Sequence, residues 1–483
     1  MSQRPPIHQR TTDLGTAPLG PLLLRLSLPG IVGMLVMALY NVIDTFFVAG
    51  LPYGPQAIAG LTIVFPLQMV AGALGVGTGV GVASLVSRRF GEQRADEVQA
   101  IAGTAVLLPL VLGGALLLAG RLIPLPLLRL FGVQPDIVAP AFTYLTTIAI
   151  GFPFVLFNMT VTGLFRGSGD AVMPMVIMAS SAGLNLILAP LLINGLGPFP
   201  RLEVFGAGLA TVIAQVAGFG VTVTYLLSGR SGYHVRRRHL RLPWHILSAI
   251  AVVGAPAAAM QITQSVVVSV FNRVLGHHGS SAIAAYGLTF RLLMLVFPWM
   301  FGVTQGLLPI VGYNYGARQY RRMWGALRLA ATSTGAVGLV LSACLWVAAP
   351  QVVGAFTHDA ELLRVTPMAL RLVLLTLGIV APQFMAISTL QGMGFGAQAM
   401  VLSLTRQLVF LIPGLLVLSH YYGVLGAFAA HPVSDVLSTA VTAVWLWVIW
   451  RRLRSAQEPA ATGSLEWALP VAAPADAEGE GEV

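Results

Sequence analysis

Apolar runs of roughly 20 residues recur along this chain from near its start almost to its end. As a helix, each run is long enough to cross about 30 Å of hydrocarbon. Only 9% of the 483 residues are charged, whereas soluble domains carry about 25%. The period-two alternation typical of membrane-barrel strands is absent, so the sequence predicts an all-α integral membrane protein with twelve transmembrane helices. These spans are expected near residues 26–48, 57–84, 100–119, 139–163, 171–194, 206–228, 246–275, 283–313, 324–348, 366–390, 398–418 and 425–450.

The chain also repeats itself. The segment "IAGLTIVFPLQMVAGALGVGTGVGVASLVSRRFG" begins at Ile58, and "IAAYGLTFRLLMLVFPWMFGVTQGLLPIVGYNYG" begins at Ile283. Without a gap, Phe65 of the first segment aligns with Phe290 of the second. Each half has six spans, so both halves share one orientation and form two parallel six-helix repeats around an axis along the membrane normal. The interface between such repeats is the expected central substrate cavity.

The repeat and the charged segments predict five regions. Residues 1–20 form a cytoplasmic N-terminal tail, and 21–228 form an N-terminal six-helix lobe. Residues 229–245 are a basic cytoplasmic linker, and 246–452 form a C-terminal six-helix lobe. The last region, 453–483, is rich in acids, Ala, Pro and Gly, which predicts a disordered tail.

Arginine residues indicate the orientation of the spans. They concentrate in the connections that follow even-numbered spans, such as "GRSGYHVRRRHLR" between spans six and seven, and they are few in the opposite connections. Cytoplasmic loops carry the excess of cations in membrane proteins. We therefore expect both termini in the cytoplasm and the protein in a bacterial inner membrane. The net charge of +10 is explained by this topology, so no nucleic-acid partner is expected.

No catalytic or metal-binding pattern is visible in the sequence. His277 and His278 fall in an outer connection, and Cys344 is the only cysteine. The phosphate-binding pattern "GxxxxGK[ST]" does not occur. The chain is therefore not expected to be an enzyme, to hold a metal or cofactor, or to use ATP itself.

Five motifs stand out along the chain, namely "LYNVIDTFFVAG", "AIAGLTIVFPLQ", "GTGVGVASLVSRRFGEQRADE", "VTQGLLPIVGYNYGA" and "HPVSDVLS". Together they resemble the multidrug and toxic compound extrusion (MATE) family of efflux transporters, bacterial type. The second-half motif is closer to the staphylococcal multidrug exporter type than to the sodium-coupled vibrio type. The resemblance covers about residues 20–450 and implies cation-coupled efflux of lipophilic, often cationic drugs.

One carboxylate, Asp44, stands at the end of the first apolar run. If the helix starts near residue 26, Asp44 lies roughly 27 Å along its axis, in the outer leaflet. An ionised carboxylate that faces lipid near the core costs about 2.5 to 3.5 kcal/mol or more, so Asp44 is expected to face a cavity in the first half. There it could carry a proton or bind Na⁺. The alternative is an ordinary hydrated carboxylate at the outer interface.

The family resemblance supplies candidate partners for cation or proton coupling. They are Tyr144, Asn158, Asn185 and Thr211. Relatives often carry an acid one turn after the asparagine that corresponds to Asn185, where this chain has Ala189. One carboxylate with neutral oxygens makes a weak Na⁺ cage, so proton coupling through Asp44 is favoured. The alternative for Asn185 and Thr211 is hydrogen bonding between helices.

In the second half, Asp435 is predicted to lie near the bilayer midplane, about ten residues into the last span. Arg406 and Arg291 are candidate partners, and Arg371 is a third. A buried pair with arginine would brace the second half, whereas an unpaired Asp435 would suit coupling or substrate contact. Four polar residues could line the substrate cavity or join helices, namely Gln264, Asn272, Gln305 and Gln407.

The sequence thus predicts a secondary antiporter that exports lipophilic, cationic drugs or toxic metabolites in exchange for H⁺ or, less readily, Na⁺. It is expected to work as a monomer in the lipid bilayer. Two alternatives stay open at this point. A related fold could flip lipid-linked precursors, which a basic, lipid-open groove would indicate. A membrane protein that transports nothing is disfavoured by the intramembrane acids Asp44 and Asp435.

Overall fold

The computed structural model describes residues 6–49, 54–130, 137–195 and 200–455, and their regular structure is helical. The helices are α1 (Ile7–Thr16), α2 (Leu19–Ala49), α3 (Gly54–Gly91), α4 (Ala95–Leu122), α5 (Pro124–Leu130), α6 (Val138–Ile148), α7 (Phe152–Gly167), α8 (Val172–Asn194), α9 (Glu203–Leu227), α10 (Trp244–Gly276), α11 (Ser280–Gly316), α12 (Tyr320–Gly354), α13 (Ala360–Leu374), α14 (Leu377–Met393), α15 (Gly396–Leu404) and α16 (Ile412–Ser455). A π-helical segment, Thr405–Leu411, joins α15 to α16.

The described helices account for each of the predicted spans. In the described part of the chain, nine helical stretches are long and apolar enough to cross a membrane. The number rises to 11 if each of two bent helix pairs is counted as one span. The longest stretch, Gly396–Leu453, has 58 residues and covers the last two predicted spans. It is interrupted at Gly423, where φ is 62° and ψ is -142°. A regular helix cannot continue through such angles, so Gly423 separates the eleventh span from the twelfth.

A proline explains the bend in α11. The helix is bent by 46° between Ser280–Met294 and Val296–Gly316. Pro298 has no N–H group to donate to the carbonyl of the residue four positions earlier, which is Met294. The missing hydrogen bond coincides with the point at which the helix changes direction. The break between α13 and α14, of 49°, falls instead at Leu375 and Thr376.

The described residues up to Thr442 form one compact unit, and those from Ala443 onward belong to a second. Of the second unit the structure describes 443–455, which are helical. The boundaries predicted between lobes, linker and tails remain predictions.

Within the first unit, glycine residues bring helices of the two halves into contact. A methyl group added at Gly77 in α3 would lie 2.6 Å from the carbonyl oxygen of Gly254 in α10. One added at Gly302 in α11 would lie 2.5 Å from the backbone nitrogen of Ile31 in α2. Neither site has room for a side chain, so small residues are what allow these helices to pack so closely.

The contacts continue to the C-terminal ends of α3, α11 and α14, near Arg88 and Arg89 of α3 and Arg318 after α11, and we call this the basic end. Ser84 Oγ donates a hydrogen bond of 2.5 Å to the carbonyl oxygen of Gln391. A methyl group added at Gly316 would lie 2.2 Å from the carbonyl oxygen of Arg88. The two halves therefore contact each other at the basic end.

Candidate functional site

A cavity lies between the two halves. Leu26 of α2, Arg166 of α7 and Met175 of α8 line it from the first half, and Gln305 and Pro309 of α11 line it from the second. Its volume is about 10 Å³, which is room for about one water molecule. Among the described residues, the lining is mostly apolar and includes no acid. In this state the cavity is too small for a drug-sized molecule, so it would have to widen to bind one.

The first-half residues Asn185 and Thr211 contact each other. Asn185 Nδ2 donates to Thr211 Oγ1 at 3.2 Å, and Thr211 donates to the carbonyl oxygen of Ala207 at 3.0 Å. The Oδ1 atom of Asn185 is buried and has no hydrogen-bond partner in the described part of the chain. Ala189, one turn later on α8, is also buried. The pair joins α8 to α9 and leaves one free acceptor.

The other two coupling candidates make separate hydrogen bonds. Asn158 Nδ2 donates to the carbonyl oxygen of Gln215 at 3.1 Å, and Thr222 Oγ1 donates to Asn158 Oδ1 at 3.0 Å. Tyr144 OH accepts a hydrogen bond of 3.3 Å from Gln68 Nε2 and has a further interaction. All four predicted residues are thus held by neighbours in the first half, and Asn185 and Thr211 bond to each other.

Asp44 belongs to the last two turns of α2. Its side chain, like those of residues 40–49, lies outside the described residues. Its proposed partners and its role in coupling therefore remain predictions.

Asp435 forms a buried ion pair. Arg406 donates to Asp435 Oδ1 through Nε at 2.9 Å and through Nη2 at 2.8 Å. Thr376, at the break between α13 and α14, donates to Oδ2 at 2.6 Å. Both carboxylate oxygens of Asp435 accept hydrogen bonds, and only 3% of the residue's surface is exposed. The three groups join the α13–α14 break, the π-helical segment and α16.

The other two candidate arginines do not pair with Asp435. Arg371 Nε donates to the carbonyl oxygen of Trp346 at 2.9 Å, and its guanidinium lies 4.8 Å from the centre of that indole ring. Arg291 is exposed, and none of the ion pairs found among the described residues includes it. The sequence offered three arginines as partners for Asp435, and the packing of the helices brings Arg406 to it.

The four cavity candidates have different environments. Gln305 lines the cavity, and its Oε1 lies near Gly30 of α2. Gln407 is buried in the π-helical segment, and its Oε1 has no hydrogen-bond partner in the described ranges. Gln264 and Asn272 on α10 are exposed and are not part of this cavity.

A family model described as MatE matches this chain twice, over residues 29–191 and 256–416. The chain belongs to the MatE family. The two matches fall in the two halves, so each half is one copy of the MatE unit, in agreement with the repeat found at Ile58 and Ile283.

Among curated MatE relatives, the chain is similar to the "FAD transporter" of Shewanella oneidensis. The two are 27% identical over 427 residues, which are 87% of this chain and 93% of that one. It is also similar to "Multidrug export protein MepA" of Staphylococcus aureus, with 24% identity over 437 residues, 90% of this chain and 95% of the relative.

Solved structures agree with this assignment. An outward-facing multidrug resistance MATE family transporter of the MOP superfamily superposes with a TM-score of 0.86 at 27% identity, covering 92% of this chain and 98% of the other. A MOP superfamily transporter from Pyrococcus furiosus, described by a "reverse polarity of binding pocket", gives 0.84 at 26% identity, covering 94% and 100%. The predicted membership of the MATE family and the predicted all-α membrane fold class are confirmed. This MatE protein is a multi-pass membrane transporter of the multidrug efflux type.

Sequence reasoning missed two groups in this MatE chain. Arg166 follows the fourth predicted span, where the sequence predicts only a topology signal, but the structure places it in the cavity lining. Arg10, in the region expected to be a plain tail, is buried at the basic end against Asp170 and Tyr225. The one available signal was "RGSGD", which places an acid directly after the fourth span.

Proposed function

We propose that this MatE protein is a secondary antiporter that exports lipophilic, chiefly cationic drugs or toxic metabolites in exchange for H⁺. The observation that carries the proposal is the pair of MatE units, with a small, mostly apolar cavity between them that would widen as the halves move apart. An interface between parallel repeats is where such transporters bind substrate, and rocking of one repeat against the other exposes the site to each side in turn. No metal or organic cofactor is part of the proposal.

The contact between the halves at the basic end supports an outward-facing state. Ser84 bonds to the backbone of Gln391 at this end. The contact between Gly77 of α3 and Gly254 of α10 lies in the half of α3 that is nearer to this end. The excess of arginine assigns the basic end to the cytoplasm. The cytoplasmic side is therefore the closed one.

The test of this function is transport under separately imposed ion gradients. Everted membrane vesicles that contain the protein should take up a lipophilic cation such as rhodamine 123 when the interior is acidified. An imposed Na⁺ gradient at uniform pH should have a much smaller effect, because Ala189 stands one turn after Asn185, where a second carboxylate would strengthen Na⁺ binding. Uptake driven by Na⁺ alone would overturn the proton assignment, and the absence of uptake under both gradients would overturn export.

Asp44→Asn is expected to abolish uptake driven by the pH gradient while drug binding persists. Asparagine keeps the size of the side chain and its hydrogen bonding but cannot release a proton. Binding of rhodamine 123 to the purified variant and its gradient-driven uptake should be measured side by side. Glu203→Gln is the matched control, since Glu203 is an exposed acid paired with Arg201 at the start of α9. Wild-type uptake by Asp44→Asn would exclude Asp44 as the coupling residue.

Both termini are expected in the cytoplasm of a bacterial cell, with the protein in the inner membrane. A tag attached after Val483 should therefore react with an impermeant label only after sealed spheroplasts are opened. Labelling from outside intact spheroplasts would reverse the orientation. The closed basic end would then face the outside of the cell.

A second candidate function is export of a flavin nucleotide. It is favoured by the similarity to the protein named "FAD transporter" and by a cation, Arg166, in the cavity lining. Competition by FAD against rhodamine 123 uptake tests it directly. FAD that neither competes nor enters the vesicles removes this candidate.

A further inference from the structure

Arg166 is a partly buried cation that no anion among the described residues compensates. It occupies the last turn of α7, and its Nε atom is buried with no hydrogen-bond partner in the described ranges. None of the ion pairs formed by described residues includes it. Arg10 and Arg406, in contrast, are each paired with an aspartate. An unpaired, desolvated cation is costly, so its surroundings should supply an anion or water.

The cavity gives the uncompensated charge a place to act. Among the described residues, its lining contains Arg166 and Gln305 but no acid, and the remaining lining groups are apolar or small, such as Met175, Met178 and Pro309. Gln305 projects toward α2, where a methyl group added at Gly30 would lie 3.7 Å from its Oε1. Its amide N–H₂ forms no hydrogen bond with the described residues. A guanidinium and a free amide donor together suit an oxyanion.

We propose that Arg166 and Gln305 bind the anionic group, a carboxylate or a phosphate, of an organic substrate. This extends the substrate class to amphipathic anions and zwitterions, and it rests on the proposed function because that function makes the cavity part of the transport route. The site is divided between the halves, since Arg166 belongs to the first and Gln305 to the second. Separation of the halves would move the two donors apart and so weaken the hold on the anion.

Binding of an anion is tested first without transport. Inorganic phosphate, titrated at constant ionic strength, should raise the Tm of the purified protein by ligand linkage. Arg166→Gln should lose this phosphate dependence, and Arg166→Lys should keep part of it. Arg318→Gln, which removes an exposed cation at the basic end, should behave as the wild type. Equal phosphate dependence in Arg166→Gln and the wild type would overturn the site. If Arg166→Gln does not fold, Gln305→Leu provides the same comparison, because the charge is retained and only the amide is lost.

Transport then identifies the source of the anion. Fluorescein and rhodamine 123 share a xanthene ring system but have opposite charges, and their uptake into proteoliposomes can be measured by fluorescence after lysis at a fixed pH. Arg166→Gln should lower fluorescein uptake by about tenfold, the effect of losing a charged hydrogen bond, and should leave rhodamine 123 uptake within about twofold of the wild type. The result should be the same in phosphatidylcholine alone and in phosphatidylcholine containing phosphatidylglycerol.

Three other outcomes would contradict the anion site or the export function. An Arg166 effect that appears only with phosphatidylglycerol would assign the site to a lipid headgroup and overturn the proposal. Normal rhodamine 123 uptake with fluorescein uptake that is absent, or insensitive to Arg166→Gln, would also overturn it while leaving drug export intact. Failure of the wild type to transport either dye would refute export itself, whereas phosphate binding would still report on the anion site.

Discussion

Asp170→Asn is expected to destabilise the protein by about 3 to 5 kcal/mol, the usual cost of removing one partner from a buried ion pair. Arg10 and Asp170 form this pair at the basic end, and their side chains are 6% and 4% exposed. Burial lowers the pKa of Arg10, but the neighbouring Asp170, Tyr225 and Tyr233 together more than offset this, so its pKa lies above the ordinary value. A guanidinium is not deprotonated in proteins, so Arg10 stays charged when the carboxylate is lost, and asparagine would leave that charge without its anion.

The reason for so large an effect is the number of elements that this cluster joins. Asp170 also accepts a 2.5 Å hydrogen bond from Tyr225 OH and one of 3.2 Å from the backbone N–H of Met173. The same helix, α1, bonds to the second half, since Asn314 Nδ2 donates to the carbonyl oxygen of Leu14 at 2.9 Å. Release of α1 would thus disturb contacts in both halves.

Thermal unfolding of the purified protein measures this effect. The Tm of Asp170→Asn should fall clearly below that of the wild type. Asp13→Asn is the matched control on the same helix, because Asp13 pairs with Arg25 at the surface and such pairs contribute about 0 to 1 kcal/mol. Replacing both partners, Arg10→Met with Asp170→Asn, should recover part of the loss. Equal Tm values for Asp170→Asn and Asp13→Asn would show that the buried pair does not hold α1 in place.

Asp435→Asn is expected to cost about 2.5 to 3.5 kcal/mol, the penalty of an unpaired arginine near the centre of a spanning helix. Arg406 would keep its charge and lose the two hydrogen bonds to Oδ1. Asparagine can still accept from Thr376, so the loss should come from the charge and not from the shape. The Tm and the expression level should therefore fall at least as much as the transport rate.

The double variant Arg406→Met with Asp435→Asn separates bracing from coupling. Removal of both charges abolishes the unpaired arginine, so the Tm should return toward the wild-type value if the pair only braces the second half. Rhodamine 123 uptake should return with it. A double variant that is stable but does not respond to the pH gradient would assign coupling to Asp435. Glu203→Gln again serves as the surface control.

Much of the fold follows from the sequence because hydrophobic length is a local property. Apolar runs predicted the spans, and the segments at Ile58 and Ile283 predicted the repeat that the two family matches confirm. Even the merged helix Gly396–Leu453 contains the predicted boundary, at Gly423. These features depend on composition and spacing, because the thickness of the bilayer sets how long an apolar stretch must be to span it as a helix.

The candidate site was predictable only in part. Asn185 and Thr211, named through the family resemblance, bond to each other as neighbours on α8 and α9. Arg166 could not be distinguished in sequence from arginines that mark topology, because a cation at the end of a span suits both positions. Its place in the cavity depends on how α2, α8 and α11 pack around it.

Asp435 shows where the information in the sequence ends. The rise of 1.5 Å per residue fixes how deep a side chain lies along its helix, and this placed both Asp435 and Arg406 near the middle of the bilayer. Rotation and tilt are set by packing against other helices. Only the tertiary structure could therefore choose Arg406 over Arg291, bring Thr376 to the other oxygen at the helix break, and bury Arg10 against Asp170.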